Sequence, residues 1–347
     1  MRYRQRRAEM TYEISVIIPT FERCASVKRL LRALATQTLS PLAYEVIVSI
    51  DGSTDGTYET VSSLTVPYQL HVIWQPNNGR AAARNAGLRL ASGPFIIFLD
   101  DDMEPVPEFL EAHLEAQRSD ARLGVLGAIP AVIDPGAPPV ARYQAARFER
   151  HLKKLATPGY HITIRDFFSG NFSIPRAVLE EVGGFNEAFK VYGNEDTELC
   201  VRLLNSGVLL VYNEHAIARE HQMKDIAALA RDAFFQGQTA VQLARMHVLA
   251  ETDFKLVGTF RSRTWKWRSL RGILLGLSKL IPRLRHVVLL GVRMVERRQP
   301  TRVYTAYEFA FDYCFWQGVQ AALPAGWSLG HRLDEFVARE SLSNDPA

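Results

Sequence analysis

The sequence has little cysteine and no long apolar run. Its three cysteines, Cys24, Cys200 and Cys314, are far apart, and neither a CxxC pair nor a Cys/His ligand spacing is present. This pattern argues against a disulfide framework and favours a reducing compartment. No stretch approaches the roughly 20 apolar residues that a membrane-spanning helix needs. The basic N-terminus is not followed by the apolar segment of a secretory signal, so we expect a cytoplasmic location.

The composition is that of an ordinary globular protein, with 47% hydrophobic and 22% charged residues. It excludes a disordered chain and a collagen-like chain. A length of 347 residues predicts two domains, or one enlarged α/β domain with an extension. The formal net charge is +4, yet eleven of the 41 Lys and Arg lie between Arg261 and Arg298, where Glu296 is the only acid. The basic character is therefore local and indicates a local partner.

Apolar runs alternate with helical patterns in the first part of the chain. The sequence predicts strands over 14–19, 44–51, 69–74, 94–100 and 123–133, and helices over 27–36, 54–63, 79–91 and 107–118. Strands that alternate with helices form mostly parallel sheets, and continuous apolar strands suit a sheet that is buried on both faces. We therefore predict an α/β fold with a Rossmann-like central sheet flanked by helices.

The second part is less regular. A turn-rich break, Asp134 to Pro139, precedes an irregular region, short helices over 175–182 and 197–206, and a strand over 208–212. No strand pattern follows residue 224, so the tail is predicted to be helical, with a basic amphipathic centre over 261–298 and an aromatic helix over 304–322. The predicted regions are a basic N-terminal tail (1–11), an α/β domain (12–223) and a helical C-terminal region (224–347).

Polar clusters follow four successive predicted strands. They are Pro19-Thr20-Phe21-Glu22, Asp51 to Gly56, Asn77 to Arg80, and Asp100-Asp101-Asp102. Ligands of parallel α/β sheets collect at the carboxyl ends of the strands, so the four clusters together predict one site. Each cluster alone has a plainer explanation, because Asp and Ser also form turns and cap helices.

The three adjacent aspartates are the sharpest of these signals. Like charges repel, so packing alone does not explain Asp100, Asp101 and Asp102. On an extended segment alternate residues point the same way, so Asp100 and Asp102 can converge on one divalent cation while Asp101 turns aside. Mg²⁺ and Mn²⁺ take carboxylates together with substrate phosphates. The alternative is a solvated acidic turn that caps the next helix.

Four segments in this order, SVIIPTFER, VSIDGSTDGT, NNGRAAARNAG and FLDDD, resemble glycosyltransferase family 2, which has the GT-A fold. The segment from Phe167 to Gly207 resembles the acceptor-side region of that family and also the related galactosyltransferase C-terminal motif. The resemblance implies a nucleotide-binding half (12–133) and an acceptor-side half (134–223). It also implies a donor that is a nucleotide-diphosphate sugar.

The resemblance assigns residues to the donor site. The implied nucleotide-sugar contacts are Pro19, Thr20, Glu22, Asp51, Gly79, Arg84, Asp100 and Asp101. Asp100 and Asp102 take the DxD positions and would hold Mn²⁺ or Mg²⁺ on the diphosphate. His221 is a further implied metal ligand, with His215 as its competitor and a structural role as the alternative. For Arg84 the alternative is an ion pair with a nearby acid.

The acceptor side is assigned in the same way. Gly170 and Asn171 would line the sugar or acceptor pocket. Inverting transfer needs a general base for the acceptor hydroxyl. The family carries it at an acidic pair, here Glu195-Asp196, and we expect Asp196 to be the base, with Glu195 as the alternative. Gly193-Asn194 before the pair departs from the family pattern. These acids could instead stabilise the start of the following helix.

The basic segment over 261–298 contains Trp265, Trp267 and aliphatic residues on helical spacing. This combination suits a helix that lies in a membrane interface and is attracted by anionic lipid. The alternatives are a helix that packs on the catalytic domain with its arginines extended to solvent, and a dimer interface. Nucleic acid is not expected as a partner, because no motif for it is present.

The expected function is metal-dependent, inverting transfer of a hexosyl or N-acetylhexosaminyl group to a hydroxyl of a glycan or lipid-linked acceptor. The expected setting is cell-envelope or exopolysaccharide synthesis at the inner face of the cell membrane, with a homodimer as an open option. Two alternatives remain. A nucleotidyltransferase usually has a Gly-rich basic loop after its first strand, which PTFER is not. A non-catalytic nucleotide-sugar-binding or scaffold protein would not need the intact acidic motifs.

Overall fold

A computed structural model describes residues 12–222, 224–247, 264–281, 283–298 and 303–323. The predicted basic tail over 1–11 lies outside the described residues, as do 261–263 and 282 of the basic segment. The chain divides into two compact units. The first consists of the described residues up to Asp134, Ala145–Lys190 and Glu195–Gln222. The second consists of Pro135–Gln144, Val191–Asn194 and the described residues from Lys224 onward.

The first unit is built on a mixed sheet whose strands run in the order β3-β2-β1-β4-β8-β6-β9-β5, with β7 paired to β9. The strands are β1 Ile14–Thr20, β2 Tyr44–Asp51, β3 Gln69–Gln75, β4 Phe95–Leu99, β5 Met103–Pro105, β6 Leu123–Ala128, β7 Ala131–Val132, β8 Asn171–Pro175 and β9 Leu209–His221. The strands β3, β2, β1 and β4 are parallel, as predicted. β8 is antiparallel to both β4 and β6, which makes the sheet mixed.

The helices of this part of the chain are α1 Cys24–Leu34, α2 Thr57–Ser62, α3 Arg80–Leu90, α4 Phe109–Gln117, α5 Pro139–Leu155, α6 Arg176–Glu181 and α7 Glu195–Asn205. The predicted helices of the first 133 residues and the first four predicted strands are present, and their ends shift by a few residues. The strand predicted over 123–133 is divided into β6 and β7. Three elements were not predicted: α5, in the segment expected to be irregular, and the short strands β5 and β8. Short segments carry little periodicity, so β5 and β8 depend on their neighbours in the sheet.

The sheet is buried on both faces where β1 and β2 pair, and every residue of these two strands is buried. Glu45 of β2 is a buried carboxylate in this apolar layer. It accepts hydrogen bonds from Ser15 Oγ at 2.6 Å and from Ser92 N and Oγ at 2.7 Å, and His71 Nε2 lies 3.1 Å away. Burial alone would raise its pKa, but the bonds from His71, Ser15 and Ser92 prevail and lower it to about 2.

The second unit contains the helices α8 Ile226–Met246, α9 Trp265–Ser278, α10 Leu284–Arg298 and α11 Val303–Ala322. α8 and α11 approach very closely, since a Cβ on Gly237 would lie 1.9 Å from Phe315 O and a Cβ on Gly318 would lie 1.9 Å from Phe234 O. The buried Arg271 guanidinium pairs with Asp312 at 3.0 Å. Within the described ranges, no helix has the length and apolarity required to cross a bilayer.

Removing the charge of Glu45 is expected to destabilise the protein at neutral pH. Folding lowers the Glu45 pKa from its ordinary value of 4.5 to about 2, so the ionised carboxylate stabilises the fold above pH 4.5, and this contribution is lost as the pH falls through 2. Glu45→Gln should lower the free energy of unfolding by about 2 kcal/mol at neutral pH. The difference from wild type should shrink as the pH falls through that window, which urea unfolding measures.

The matched control is Glu13→Gln, because Glu13 is a half-exposed carboxylate paired with Arg118. Its effect on the free energy of unfolding should stay below about 1 kcal/mol, as for other surface ion pairs. Equal losses in the two variants would show that the buried network around Glu45 does not stabilise the sheet.

Candidate active site

The loop after β1 is tied to the three aspartates that follow β4. Thr20 Oγ1 donates to Asp101 Oδ2 at 2.8 Å. Arg23 Nη1 donates to Asp101 Oδ1 at 3.1 Å and to Asp102 Oδ2 at 2.5 Å. Because β1 and β4 are adjacent parallel strands, their carboxyl ends bring these residues together. Pro19 is buried within β1, paired with Ser49.

Glu22 ties the same loop to the end of β2. Its backbone N–H donates to Ser53 Oγ at 2.8 Å, and its Oε1 accepts from Thr54 N at 2.7 Å and Thr54 Oγ1 at 3.0 Å. Its φ of 54° lies in the left-handed region, which is costly for a residue other than glycine. The bonds to Ser53 and Thr54 hold it there. The strained, exposed Glu22 is thus held at the mouth of the predicted donor site.

Asp51 organises the loop after β3. Its Oδ1 accepts from Gln75 Nε2 at 2.8 Å and Asn78 N at 2.9 Å, and its Oδ2 accepts from Gly79 N at 2.8 Å. Gly79 has a φ of 90°, and a Cβ there would lie 2.7 Å from Lys190 O, so only glycine suits this position. The structure gives Asp51 an internal role, and its contact with a nucleotide stays a prediction.

The buried Arg84 guanidinium joins two acidic motifs that are far apart in the sequence. Nη2 donates to Asp100 Oδ1 at 2.9 Å, and Nη1 donates to Glu195 Oε1 at 3.2 Å. The guanidinium also lies over the ring of Phe185, 5.1 Å from its centroid. Burial alone would raise the pKa of Asp100, but the charges of Arg84, Arg80 and Arg23 outweigh it and lower that pKa. The ion pair considered as the alternative for Arg84 is present, and it lies inside the site.

The two acids at the start of α7 have different surroundings. Glu195 is buried and bound to Arg84. Asp196 is partly exposed, and its Oδ1 accepts from Thr197 N at 2.8 Å. Burial, and then the charge of Glu195, raise the pKa of Asp196 to about 7, although Arg84 opposes the shift. A carboxyl group with a pKa near neutrality is suited to accept a proton at physiological pH.

The three aspartates lie in the turn between β4 and β5, closed by Met103 N donating to Asp100 O at 3.3 Å, so the extended segment predicted from the sequence is wrong, although their exposure still alternates. The side chains of Asp100 and Asp102 are 26% and 18% exposed, and that of Asp101 is 10% exposed. Burial, with the neighbouring Asp102 and Asp100 charges, raises the pKa of Asp101 to about 6 against the opposing charge of Arg23 and the bond from Thr20. Asp101 is therefore held inside by Thr20 and Arg23, and Asp100 and Asp102 are the more accessible pair.

A divalent cation fits this pair only together with a ligand. Among the described residues, no group of three or more His, Cys, Asp and Glu is placed to hold a metal. The His221 ring lies between Asp134 Oδ2, 2.7 Å from Nδ1, and Glu104 Oε2, 2.8 Å from Nε2. Its backbone N–H donates to Asp102 O at 3.1 Å. Two carboxylates completed by substrate phosphates are an ordinary Mg²⁺ arrangement, so Asp100 and Asp102 suit the ion.

Gly170 lies against the first of these carboxylates. Its carbonyl oxygen accepts from Asp100 N at 2.9 Å, and a Cβ at Gly170 would lie 2.8 Å from Asp100 Oδ2. The neighbouring Asn171 is fully buried, and its amide donates to Ala128 O and Ala216 O while Oδ1 faces His113 Nε2 at 2.8 Å. The Asn171 side chain therefore makes hydrogen bonds inside the core. Of the predicted pair, only Gly170 lies beside a candidate site carboxylate.

Two residues of this region were missed from the sequence. Arg23 pairs with both Asp101 and Asp102, and the signal in the sequence was a cation in the first loop opposite three acids. Asp166 is buried on the segment that leads to Gly170, and it accepts from Lys154 Nζ at 2.8 Å, Tyr160 OH at 2.6 Å and Thr163 N at 3.0 Å. Nothing in the sequence around Asp166 distinguished it from a surface aspartate.

Two family models match the chain. The model described as glycosyl transferase family 2 matches residues 15–183. A model described as the N-terminal domain of galactosyltransferase matches residues 149–225. Together they cover the strand ends, the aspartates after β4 and the acidic pair at the start of α7. The resemblance predicted from the sequence motifs is confirmed.

Two curated glycosyltransferases match more than half of the chain. Validoxylamine A glucosyltransferase of Streptomyces hygroscopicus subsp. limoneus is 33% identical over 219 residues, which are 56% of this chain and 48% of the relative. Pre-mycofactocin glycosyltransferase of Mycobacterium tuberculosis is 29% identical over 231 residues, 66% of this chain and 47% of the relative. The chain thus spans about half the length of these relatives.

Solved structures share the fold at low identity. A mannosyltransferase from Pyrobaculum calidifontis, in complex with GDP-Man and Mn²⁺, superposes with a TM-score of 0.57 at 18% identity, covering 90% of this chain and 88% of that one. S. aureus TarS 1–349 in complex with UDP-GlcNAc gives 0.52 at 17% identity, covering 89% and 91%. The predicted GT-A fold with C-terminal helices is confirmed. Motifs, family match and fold together identify residues 15–183 as a domain of glycosyl transferase family 2.

Proposed function

We propose that this chain is a metal-dependent, inverting glycosyltransferase that uses a nucleotide-diphosphate sugar. The observation that carries the proposal is the Arg84 bridge, which holds Asp100 of the donor side and Glu195 of the acceptor side on one guanidinium. The names of the curated relatives support sugar transfer. The GDP-Man and UDP-GlcNAc complexes of the structural neighbours support a nucleotide-sugar donor.

The donor side would be formed by Thr20, Glu22, Gly79 and Arg84, with Asp51 shaping the loop that contains Gly79. Asp100 and Asp102 would hold Mn²⁺ or Mg²⁺ against the diphosphate. A bound cation supplies positive charge that stabilises the departing diphosphate. Arg23 pairs with both Asp101 and Asp102, so its single positive charge would limit repulsion among the three aspartates.

The transfer step assigns separate tasks to the two acids of α7. Asp196 would take the proton of the acceptor hydroxyl, whose oxygen forms a bond to the anomeric carbon. The bond from that carbon to the diphosphate oxygen breaks, and the nucleotide diphosphate leaves with the electron pair. Glu195 is bound to Arg84 and would act as a positioning residue, and its charge helps keep the pKa of Asp196 near 7.

The acceptor we propose is a hydroxyl of a glycan or of a lipid-linked sugar, as in cell-envelope or exopolysaccharide synthesis. Gly170 leaves room beside Asp100, where any side chain would meet the carboxylate. A small residue at this position keeps space for a sugar ring between the two acidic motifs.

The donor class is tested by thermal unfolding with UDP, GDP, dTDP or CDP, each with Mn²⁺, Mg²⁺ or EDTA. A ligand at 100 times its Kd stabilises the folded state by about 2.7 kcal/mol, which raises Tm by several degrees. We expect this rise with one nucleotide, only with metal. Asp102→Asn should abolish the metal-dependent part.

The control for Asp102→Asn is Asp120→Asn, an exposed aspartate whose Oδ1 accepts from Arg122 N on the loop before β6. It should keep the full metal-dependent rise in Tm. No rise with any nucleotide in the wild type would overturn the donor site, and an equal rise in EDTA would overturn its dependence on metal.

Asp196→Asn is expected to lower kcat by about 10²–10⁴-fold, the usual contribution of a general base, with little change in Tm. The base must be deprotonated, so wild-type kcat should rise with pH through a midpoint near 7, the pKa of Asp196. The residual activity of Asp196→Asn should lose this midpoint. Both the fall in kcat and the midpoint are measured by a pH profile of sugar transfer, with a donor built on the nucleotide that raises Tm. An unchanged midpoint in the variant would exclude Asp196 as the base.

Glu195→Gln provides the second variant of the pair. The negative charge of Glu195 raises the pKa of Asp196, so its removal should move the midpoint of the kcat profile to lower pH while much of the maximal rate remains. The protein should also lose stability, because the buried Arg84 loses one of its carboxylates. If Glu195→Gln instead abolished the pH dependence, Glu195 would be the base.

A further inference from the structure

Two helices of the second unit expose a row of large apolar side chains. The most exposed are Leu280 at 79%, Ile273 at 60%, Val287 at 60% and Leu290 at 58%. We define the outer stripe as Leu270, Ile273, Leu277, Leu280 and Ile281 of α9 and its following turn, and Val287, Leu290 and Met294 of α10. An exposed apolar patch of this kind marks an interaction surface on a folded protein.

The outer stripe is separate from the core of its unit. The opposite sides of the two helices supply Leu275, Leu289 and Val292 to the apolar cluster that also contains Tyr307 and Trp316 of α11. In α10, Val287, Leu290 and Met294 follow the helical repeat on the side away from Leu289 and Val292. Both helices pack on the same cluster, so both parts of the stripe face away from it.

Basic side chains border the outer stripe. Seven exposed ones lie on or next to α9 and α10: Lys266, Arg268, Lys279, Arg283, Arg293, Arg297 and Arg298. Arg271 and Arg285 do not belong to this border, because they contact other residues of the unit. Arg271 is buried against Asp312, and Arg285 lies over the Phe234 ring. The only acid in the described parts of these helices, Glu296, accepts a hydrogen bond from Tyr307 OH. The surface is therefore apolar along its centre and positive at its edges.

We propose that the outer stripe and its basic border dock on an anionic lipid bilayer. The aliphatic residues enter the boundary between headgroups and acyl chains, and the lysines and arginines contact lipid phosphates, as in helices that lie in the plane of a membrane. Trp265 is 69% exposed at the start of α9, and tryptophan favours that boundary. This surface is independent of the transferase activity proposed above.

A second copy of this chain is the less suitable occupant. A two-fold interface would set the stripe against itself and bring the same arginines together across the contact. Among the described residues, the exposed Asp225 lies 3.7 Å from Arg293, and α9 and α10 themselves carry no exposed acid that could pair with the other basic residues across such a contact. Lipid phosphates supply the missing negative charge, so charge complementarity selects the bilayer.

The test is flotation of the full chain with vesicles of phosphatidylcholine alone or with about 30 mol% phosphatidylglycerol, a composition with negative surface potential. We expect binding to the anionic vesicles, weakened by high salt because salt screens the charges. The double variant Ile273→Gln/Leu290→Gln should reduce the partition coefficient about tenfold or more, since it removes apolar area from the boundary.

The matched control is Leu42→Gln/Leu209→Gln, which changes two exposed leucines of the first unit. It should bind vesicles like the wild type, and both double variants should keep the nucleotide-dependent rise in Tm, which shows that the donor site is folded. Failure to float with anionic vesicles would overturn the proposal, as would equal binding by the stripe variant. A wild-type dimer that the stripe variant converts to monomer, without vesicle binding, would assign the surface to a second copy instead.

Discussion

The candidate site depends on one buried cation, the Arg84 guanidinium. Its Nη2 holds Asp100 at the end of the parallel strands, and its Nη1 holds Glu195 at the start of α7. A buried guanidinium is costly unless carboxylates pair with it, so each of the two acids stabilises the fold. The same pairing keeps the aspartates after β4 and the acidic pair of α7 at a set separation. Stability of the fold and geometry of the site therefore rest on the same contacts.

The acids around the Arg84 guanidinium differ in burial and in the charges that lie near them. Glu195 is buried and bound, and Asp196, one residue later, is partly exposed with a pKa raised to about 7. Asp101 is held inside by Thr20 and Arg23, and Asp100 and Asp102 remain more accessible. Similar carboxylates thus acquire different tasks, because burial and neighbouring charge decide which one ionises and which one is free to meet a ligand.

The second unit shows a different physical constraint. Gly237 and Gly318 let the backbones of α8 and α11 meet at a distance that no side chain would permit. Arg271 is buried against Asp312 and Trp316 in the same unit. In the described part of the unit, the aliphatic residues of the outer stripe lie outside the buried apolar cluster. The interior of the unit is held by close helix contacts and an ion pair, whereas the stripe is apolar and exposed. This difference is the basis for assigning the stripe to an external partner.

The apolar runs of β1, β2 and β4 and the helical repeats between them were sufficient to predict the α/β sheet, and the ordered motifs at the strand ends predicted where a donor would bind. Local residue patterns carry that information because buried strands and amphipathic helices each have their own period. The insertion of β8 between β4 and β6, the internal use of Asn171, and the bridge from Arg84 to Glu195 were decided by the tertiary structure. Such contacts join residues up to 111 positions apart. Their energies come from burial and pairing, which no single segment contains.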